Sequence, residues 1–254
     1  MKTVLALRHT PFEDLGTFEP QFRKMGFAVR YLDVGIQPLC AESPLDADIA
    51  VVLGGPVSAR DIARYPYLGE EIAWLRARLI DDMPTLGIAL GAHLIAIALG
   101  ASIQPGARDI GWVPLAAGAD ARAGYLRPLL EQDIRVMQWH EDSFSLPPNA
   151  RHLAASAHNA NQAFAWGRNC LALQFHPEPD VAKIERWLIA GGPEIARMPG
   201  FDIAGFRNDS ERYGPSLRKA AQEFLFRWVR QLDSHPFANM MAAASGIDRL
   251  ASVP

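Results

Sequence analysis

The sequence predicts an α/β protein with a largely parallel sheet, on two observations. Short β-branched or apolar runs recur along the first hundred residues, and longer stretches of helical period separate them. That alternation is the signature of βαβ units. A third observation, a change after residue 100 to several short strand-like pieces, points to antiparallel strands added to the same sheet.

The strand candidates of the first half are Thr3 to Leu7, Ala28 to Leu32, Ile49 to Leu53 and Thr85 to Ile88. Between the last two, Tyr67 to Leu79 places Leu68, Ile72, Leu75 and Leu79 at helical spacing, with Glu70, Glu71, Arg76 and Arg78 at polar positions. This is a surface helix packed on the sheet by one face. The later strand candidates lie around Trp112 to Leu115, Val136 to Trp139, Leu153 to Ser156, Ala163 to Trp166 and Leu171 to Phe175, separated by turn residues such as Pro147-Pro148-Asn149 and Gly167. Helical pattern returns across Asp180 to Ile189 and Pro215 to Leu232. The Gly/Pro-punctuated stretch Gly191 to Gly205 between them reads as a loop, mobile or covering a cleft. Residues 1–190 are expected to form the main domain, with 191–254 a loop and helical extension packed on it. The tail after Pro236, rich in Ala, Met and Ser, suits partial disorder or association.

Composition excludes several classes of function. A formal charge of −3, with Lys and Arg scattered, gives no electrostatic footprint for nucleic acid or an anionic membrane. No apolar stretch approaches the ~20 residues of a membrane span, and the N-terminus lacks the pattern of a cleaved leader. Two cysteines, Cys40 and Cys170, form at most one bridge, which favours a reducing compartment. A cytoplasmic protein acting on small polar molecules is the expectation. His9, His152 and His158 show no ligand spacing with Cys, Asp or Glu, so no metal site is expected.

The richest stretch is Pro84 to Ala96, where an apolar strand runs through Gly87-Ile88-Ala89-Leu90-Gly91 into a helix. This is the layout of a nucleophile elbow, in which the central residue is held in a strained conformation and projects into a cleft. Free amides at the start of the helix would favour a thiolate at that position and an oxyanion beside it. The central residue, Ala89, has no nucleophilic atom. A second stretch, Leu173 to Glu178, ends a strand in His176 and Glu178, two residues apart. Pro177 biases His176 toward extended backbone, which puts both side chains on one side. That is a base with its orienting carboxylate. A third, Val51 to Pro56, ends a buried strand in Gly54-Gly55, where the Gly55 amide is placed to pair with that of Leu90 as an oxyanion hole. Trp139, His140 and Asp142 read equally well as cleft lining or as core and surface residues.

Gly54-Gly55-Pro56, the Gly87-Ile88-Ala89-Leu90-Gly91 elbow and Gln174-Phe175-His176-Pro177-Glu178, in that order, resemble the Gly-Gly-Pro, Gly-Ile-Cys-Leu-Gly and Gln-Phe-His-Pro-Glu marks of class I glutamine amidotransferases. Ile110-Gly111-Trp112, Gln138 to Asp142 and Asn161 to Phe164 are similar to stand-alone members that look like the glutaminase domain of GMP synthase. The likeness covers roughly Val4 to Leu188. It implies a flavodoxin-like three-layer fold and hydrolysis of a γ-glutamyl amide through a thioester, with no cofactor. It leaves room for a synthase or other ammonia-accepting partner, and for a homo-oligomer.

Two departures matter. Ala89 stands at the cysteine position, and His93 stands where many members carry a substrate-holding glutamine, which opens γ-glutamyl peptides or amines as substrates beside glutamine. Gly54 and His93 are the expected substrate-binding residues, though His93 also fits a packed polar role. Because the imidazole, carboxylate and glycines all survive, a Cys-to-Ala change that traps substrate is favoured. The alternative is a naturally inactive homologue serving in γ-glutamyl binding or as a regulatory subunit.

Overall fold

The computed structural model describes residues 2–121 and 124–232, so the tail after Pro236 lies outside the described residues. Its main sheet begins with strands β1 (Thr3–Arg8), β2 (Ala28–Asp33), β3 (Ile49–Val52) and β4 (Thr85–Ile88). All are parallel, and β1, β3 and β4 are buried at nearly every position, which is why they read as continuous apolar runs rather than alternating ones. Helices α1 (Phe18–Lys24), α2 (Tyr67–Ile80) and α3 (Leu90–Ala98) cross between them. Strand β5 (Ile103–Val113) is followed by β6 (Ala116–Ala117), β7 (Val136–Phe144), β8 (Arg151–Ala155), β9 (Ala163–Trp166) and β10 (Cys170–Leu173). Helices α4 (Ile184–Ala190), α5 (Gly192–Ile195) and α6 (Ile203–Leu232) complete the described chain.

The eight-stranded sheet runs β2-β1-β3-β4-β10-β9-β8-β6. Strand β10 is parallel to β4, and the sheet turns antiparallel beyond it through β9, β8 and β6. The antiparallel addition expected from the sequence is present, with one difference. Strands β5 and β7 leave the main sheet and pair with each other as a separate antiparallel ribbon. Strand β5 also starts nine residues before the expected Trp112, because Pro105, Gly106 and Arg108 mask it in the sequence. Apolar clusters fill both faces of the main sheet.

Two expectations are corrected. Glu71 and Arg78 are not solvated positions of α2: both are fully buried. The loop expected over Gly191 to Gly205 contains α5 and the start of α6. Helix α6 runs through Pro215 without ending there. An interior proline costs a helix ~3 kcal/mol or more, but Phe206 before it and Leu217, Phe224, Leu225 and Trp228 after it are all buried. Each such side chain contributes ~1.5–3 kcal/mol on burial, so packing outweighs the break. No helix among the described residues is long and apolar enough to cross a membrane.

Candidate active site at the C-terminal ends of β4 and β10

Strand β4 ends at Ile88 and turns directly into α3. At the junction Ala89 has φ 50° and ψ −110°, a conformation that L-residues rarely adopt and that costs on the order of 1–3 kcal/mol. It is held from both sides: its amide donates to the Leu173 carbonyl of β10 (2.8 Å), and its carbonyl accepts from the His93 amide (3.2 Å). The turn is tight enough to require glycine next to it. A Cβ on Gly91 would lie 2.0 Å from the Val52 carbonyl oxygen, a backbone atom of β3 that cannot rotate away. Gly91→Ala should therefore cost ~2–3 kcal/mol of stability, the scale of a forced overpacking. Urea unfolding checks this, and a loss below ~1 kcal/mol would mean that the turn relaxes freely.

Strand β10 ends at Leu173, the register partner of Ile88, and leads into His176. The His176 amide donates to the Met137 carbonyl (2.9 Å), which fixes the backbone, and its Nδ1 lies 2.7 Å from Glu178 Oε1. Both side chains are almost wholly buried. Burial disfavours the imidazolium, but the charge and hydrogen bond of Glu178, with Glu13 behind it, hold His176 above the ordinary histidine value. The ring of Trp187 packs edge-on against the imidazole, with centroids 4.8 Å apart.

Gly54 and Gly55 follow β3 and sit between these two groups. A Cβ on Gly54 would lie 2.0 Å from Glu13 Oε2 and 3.0 Å from His176 Cε1, and one on Gly55 would lie 2.9 Å from Leu90 Cδ2. The structure thus brings Ala89, Leu90, Gly54, Gly55, His176 and Glu178 to one place. The amides of Gly55 and Leu90 donate to nothing within the described residues. Ala89, Leu90 and His93 line a cleft of about 370 Å³ together with Ser58, Trp139, His140 and Asp142. His93 itself is buried, its Nε2 3.1 Å from Gln174 Oε1 and its ring edge-on to Phe144, and burial lowers its pKa. Trp139, His140 and Asp142, which the sequence left open, all border the cleft. Burial pushes His140 down to about 3, so it is a neutral group there. Asp142 accepts hydrogen bonds from Ser58 and from Arg60 (2.9 Å).

Two residues of the β1–α1 loop escaped sequence reasoning. His9 is buried with Nδ1 2.9 Å from the Gly54 carbonyl and Nε2 2.9 Å from Glu71 Oε2, so it clamps the glycine turn to α2. Burial opposes its charge, yet Glu71 holds its pKa above the usual value. Glu13 is only 6% exposed, and burial raises it to about 7 against the pull of His176 and His9 and with the push of Glu178 and Glu194. Its loop is fastened to the strand end, because the Thr17 amide donates to the Glu178 carbonyl (2.8 Å).

The model of the class I glutamine amidotransferases matches residues 20–189. A glutamine amidotransferase structure from Thermotoga maritima is 32% identical, with a TM-score of 0.78 over 90% of this chain and 98% of that one. A glutamine amidotransferase-like protein of Salmonella typhimurium is 28% identical over 202 residues, 76% of this chain and 82% of that protein. A subunit of the glutamine-hydrolysing GMP synthase of Halobacterium salinarum is 32% identical over 142 residues, 53% of this chain and 68% of that protein. The chain belongs to the class I glutamine amidotransferase family.

Proposed function

We propose that the cleft is built to hydrolyse a γ-glutamyl amide through a Cys-His-Glu triad, and that Ala89 occupies the nucleophile position of an otherwise intact machine. The observation that carries this reading is the buried His176–Glu178 pair at the end of β10, one strand away from the strained Ala89 at the start of α3. In the cysteine form a thiolate attacks the γ-carbonyl, and the amides of Gly55 and Leu90 receive the oxyanion. His176 protonates the departing amine, the C–N bond breaks, and a γ-glutamyl thioester remains. Water activated by the same imidazole then releases glutamate, with Glu178 orienting the ring throughout. Gly54 and His93 border the bound acyl group. The leaving amine comes from glutamine or from a γ-glutamyl peptide or amine, and the Halobacterium relative is the basis for a synthase that receives ammonia.

With alanine at position 89 the site binds without turning over, as a substrate-trapping form. Ala89 also favours a second reading, a naturally inactive protein that binds γ-glutamyl compounds or regulates a partner. A cysteine codon at position 89 of the genomic gene would decide for the first. Thermal denaturation of the chain as it stands tests what both share. γ-Glutamyl compounds should raise the melting temperature, by ~2.7 kcal/mol of stabilisation at 100 times Kd, and their α-glutamyl isomers should not. Equal shifts from both isomers would remove the basis for a γ-glutamyl pocket.

A further inference from the structure

Beside the cleft lies a second compartment, of about 210 Å³, that no step of the hydrolysis above uses. Its walls include Phe12, Glu13, Trp139, Trp187, Glu194 and Arg197, and it shares Trp139, Glu194 and Arg197 with the cleft that holds Ala89. The two are therefore neighbouring parts of one site. Trp187, which forms a wall here, is the ring that packs on His176. The compartment thus lies on the imidazole's side of the site, where a leaving group protonated by His176 would depart.

The lining has a definite chemistry. Trp187 meets Phe12 nearly perpendicular, with centroids 5.6 Å apart, and meets Trp139 at 54° and 5.7 Å. Trp139 is fixed by its indole N–H, which donates to Glu194 Oε2 (2.8 Å). Glu13 is more than nine-tenths buried, borders the compartment, and makes no hydrogen bond within the described residues. Aromatic rings around a buried acid whose basic neighbours are the imidazoles of His9 and His176 favour a cation over an anion, since ring quadrupole and carboxylate both attract positive charge. The exposed Arg197 sets one guanidinium at the rim against the acids Glu13 and Glu194. At 210 Å³ the space falls below the ~300–1,000 Å³ of pockets for drug-sized ligands, which suits a short alkylammonium.

We propose that this compartment receives the amine half of the substrate, and that the substrate is a γ-glutamyl conjugate of a short diamine or polyamine whose distal ammonium sits among Phe12, Trp139 and Trp187 against Glu13. This rests on the γ-glutamyl reading of the neighbouring cleft. It separates the candidates left open above. Ammonia released from glutamine has no use for the compartment, and the amino acid released from a γ-glutamyl dipeptide would bring a carboxylate against Glu13 and Glu194.

Two arms test it. In the first, the chain as it stands is titrated calorimetrically with 1,4-diaminobutane and with 1,4-butanediol, which has the same length and no charge. The diamine should bind at least tenfold more tightly than the diol, and Glu13→Gln should remove that difference. In the second, Ala89→Cys protein is given γ-glutamyl-1,4-diaminobutane and γ-glutamyl-butylamide. kcat/KM should favour the charged conjugate at least tenfold, and adding Glu13→Gln should bring the ratio near one. Equal rates on the two amides, or a preference that survives Glu13→Gln, would overturn the amine site while leaving the hydrolase reading intact. If neither amide is cleaved the hydrolase reading falls, and the titration alone decides: diamine binding that depends on Glu13 upholds the cation compartment, and no such binding ends it.

Discussion

Ala89→Cys should produce γ-glutamyl hydrolysis, with a rate gain of at least ~10⁴-fold over the present chain. The magnitude follows from the size of what is missing. Deleting the nucleophile of a hydrolase that acts through a covalent intermediate costs up to about 10⁶ in kcat, and the oxyanion hole and binding alone leave a residual of only ~10³–10⁴ over water. On the proposed reading the remaining parts are a strained elbow, free amides at the start of α3, and an imidazole held above its usual pKa by Glu178. A thiol introduced there stands at the N-terminus of α3, which favours the thiolate. Glutamate release from γ-glutamyl anilides is the measurement. Adding His176→Ala should return the protein close to the inert level, and adding Glu178→Gln should cost ~10²–10⁴ by loosening the ring and its tautomer. An Ala89→Cys protein that labels readily with iodoacetamide yet cleaves no γ-glutamyl compound would overturn the catalytic reading.

The largest effect on stability is expected at Arg78. Its guanidinium is wholly buried and donates to the carbonyls of Pro44 (2.6 Å), Ala47 (2.8 Å) and Pro84 (2.8 Å) and to Thr85 Oγ1 (3.1 Å). Burial pulls its pKa down to about 10, so it remains charged at neutral pH. Arg78→Met keeps the apolar stem but leaves the carbonyls of Ala47 and the half-buried Pro44 without that donor, at ~1–3 kcal/mol each, while the Pro84 carbonyl still accepts from the Ala50 amide (3.0 Å). The removal of a costly buried charge offsets part of this. The net loss should be ~3–5 kcal/mol, or ~6–20 °C in melting temperature for a chain of this size. Arg78→Lys should recover less than half, since one ammonium cannot span the fork. A loss under ~1 kcal/mol in Arg78→Met would show that water replaces the guanidinium. The site has a stake in this residue because Pro84 and Thr85 open β4, the strand that ends at Ala89.

What was legible in the sequence follows the range of the interactions involved. Strands β1, β3 and β4 were readable because each is buried along most of its length, and the elbow and the His176–Glu178 pair were readable because each is a contiguous run with a fixed local geometry. The pairing of β5 with β7 was hidden by Pro105 and Gly106, whose usual meaning is a turn. The first third of α6 was hidden by Pro215, which ends most helices but here is overruled by the packing on both sides of it. Arg78 looked like a solvated position because helical spacing says which face a residue is on, not what covers that face. His9 and Glu13 belong to no motif. They acquire meaning only when β1 is laid beside β3, which puts the loop after it against Gly54 and His176. The acidic pair between Phe12 and Leu15 was the one trace of this in the sequence.

Helix α6 lies wholly beyond residue 189, where the match to the family model ends. Yet Phe224 meets Phe18 of α1 at 6.2 Å, and Ser210 accepts the indole hydrogen of Trp112 at 3.0 Å. The stretch that the family model matches is therefore shorter than the stretch that keeps water from its flank. A chain cut after residue 190 would keep Ala89, His176 and Glu178 but lose Glu194 and Arg197 from the wall of the cleft, and would bare the rings of Phe18 and Trp112 beneath it.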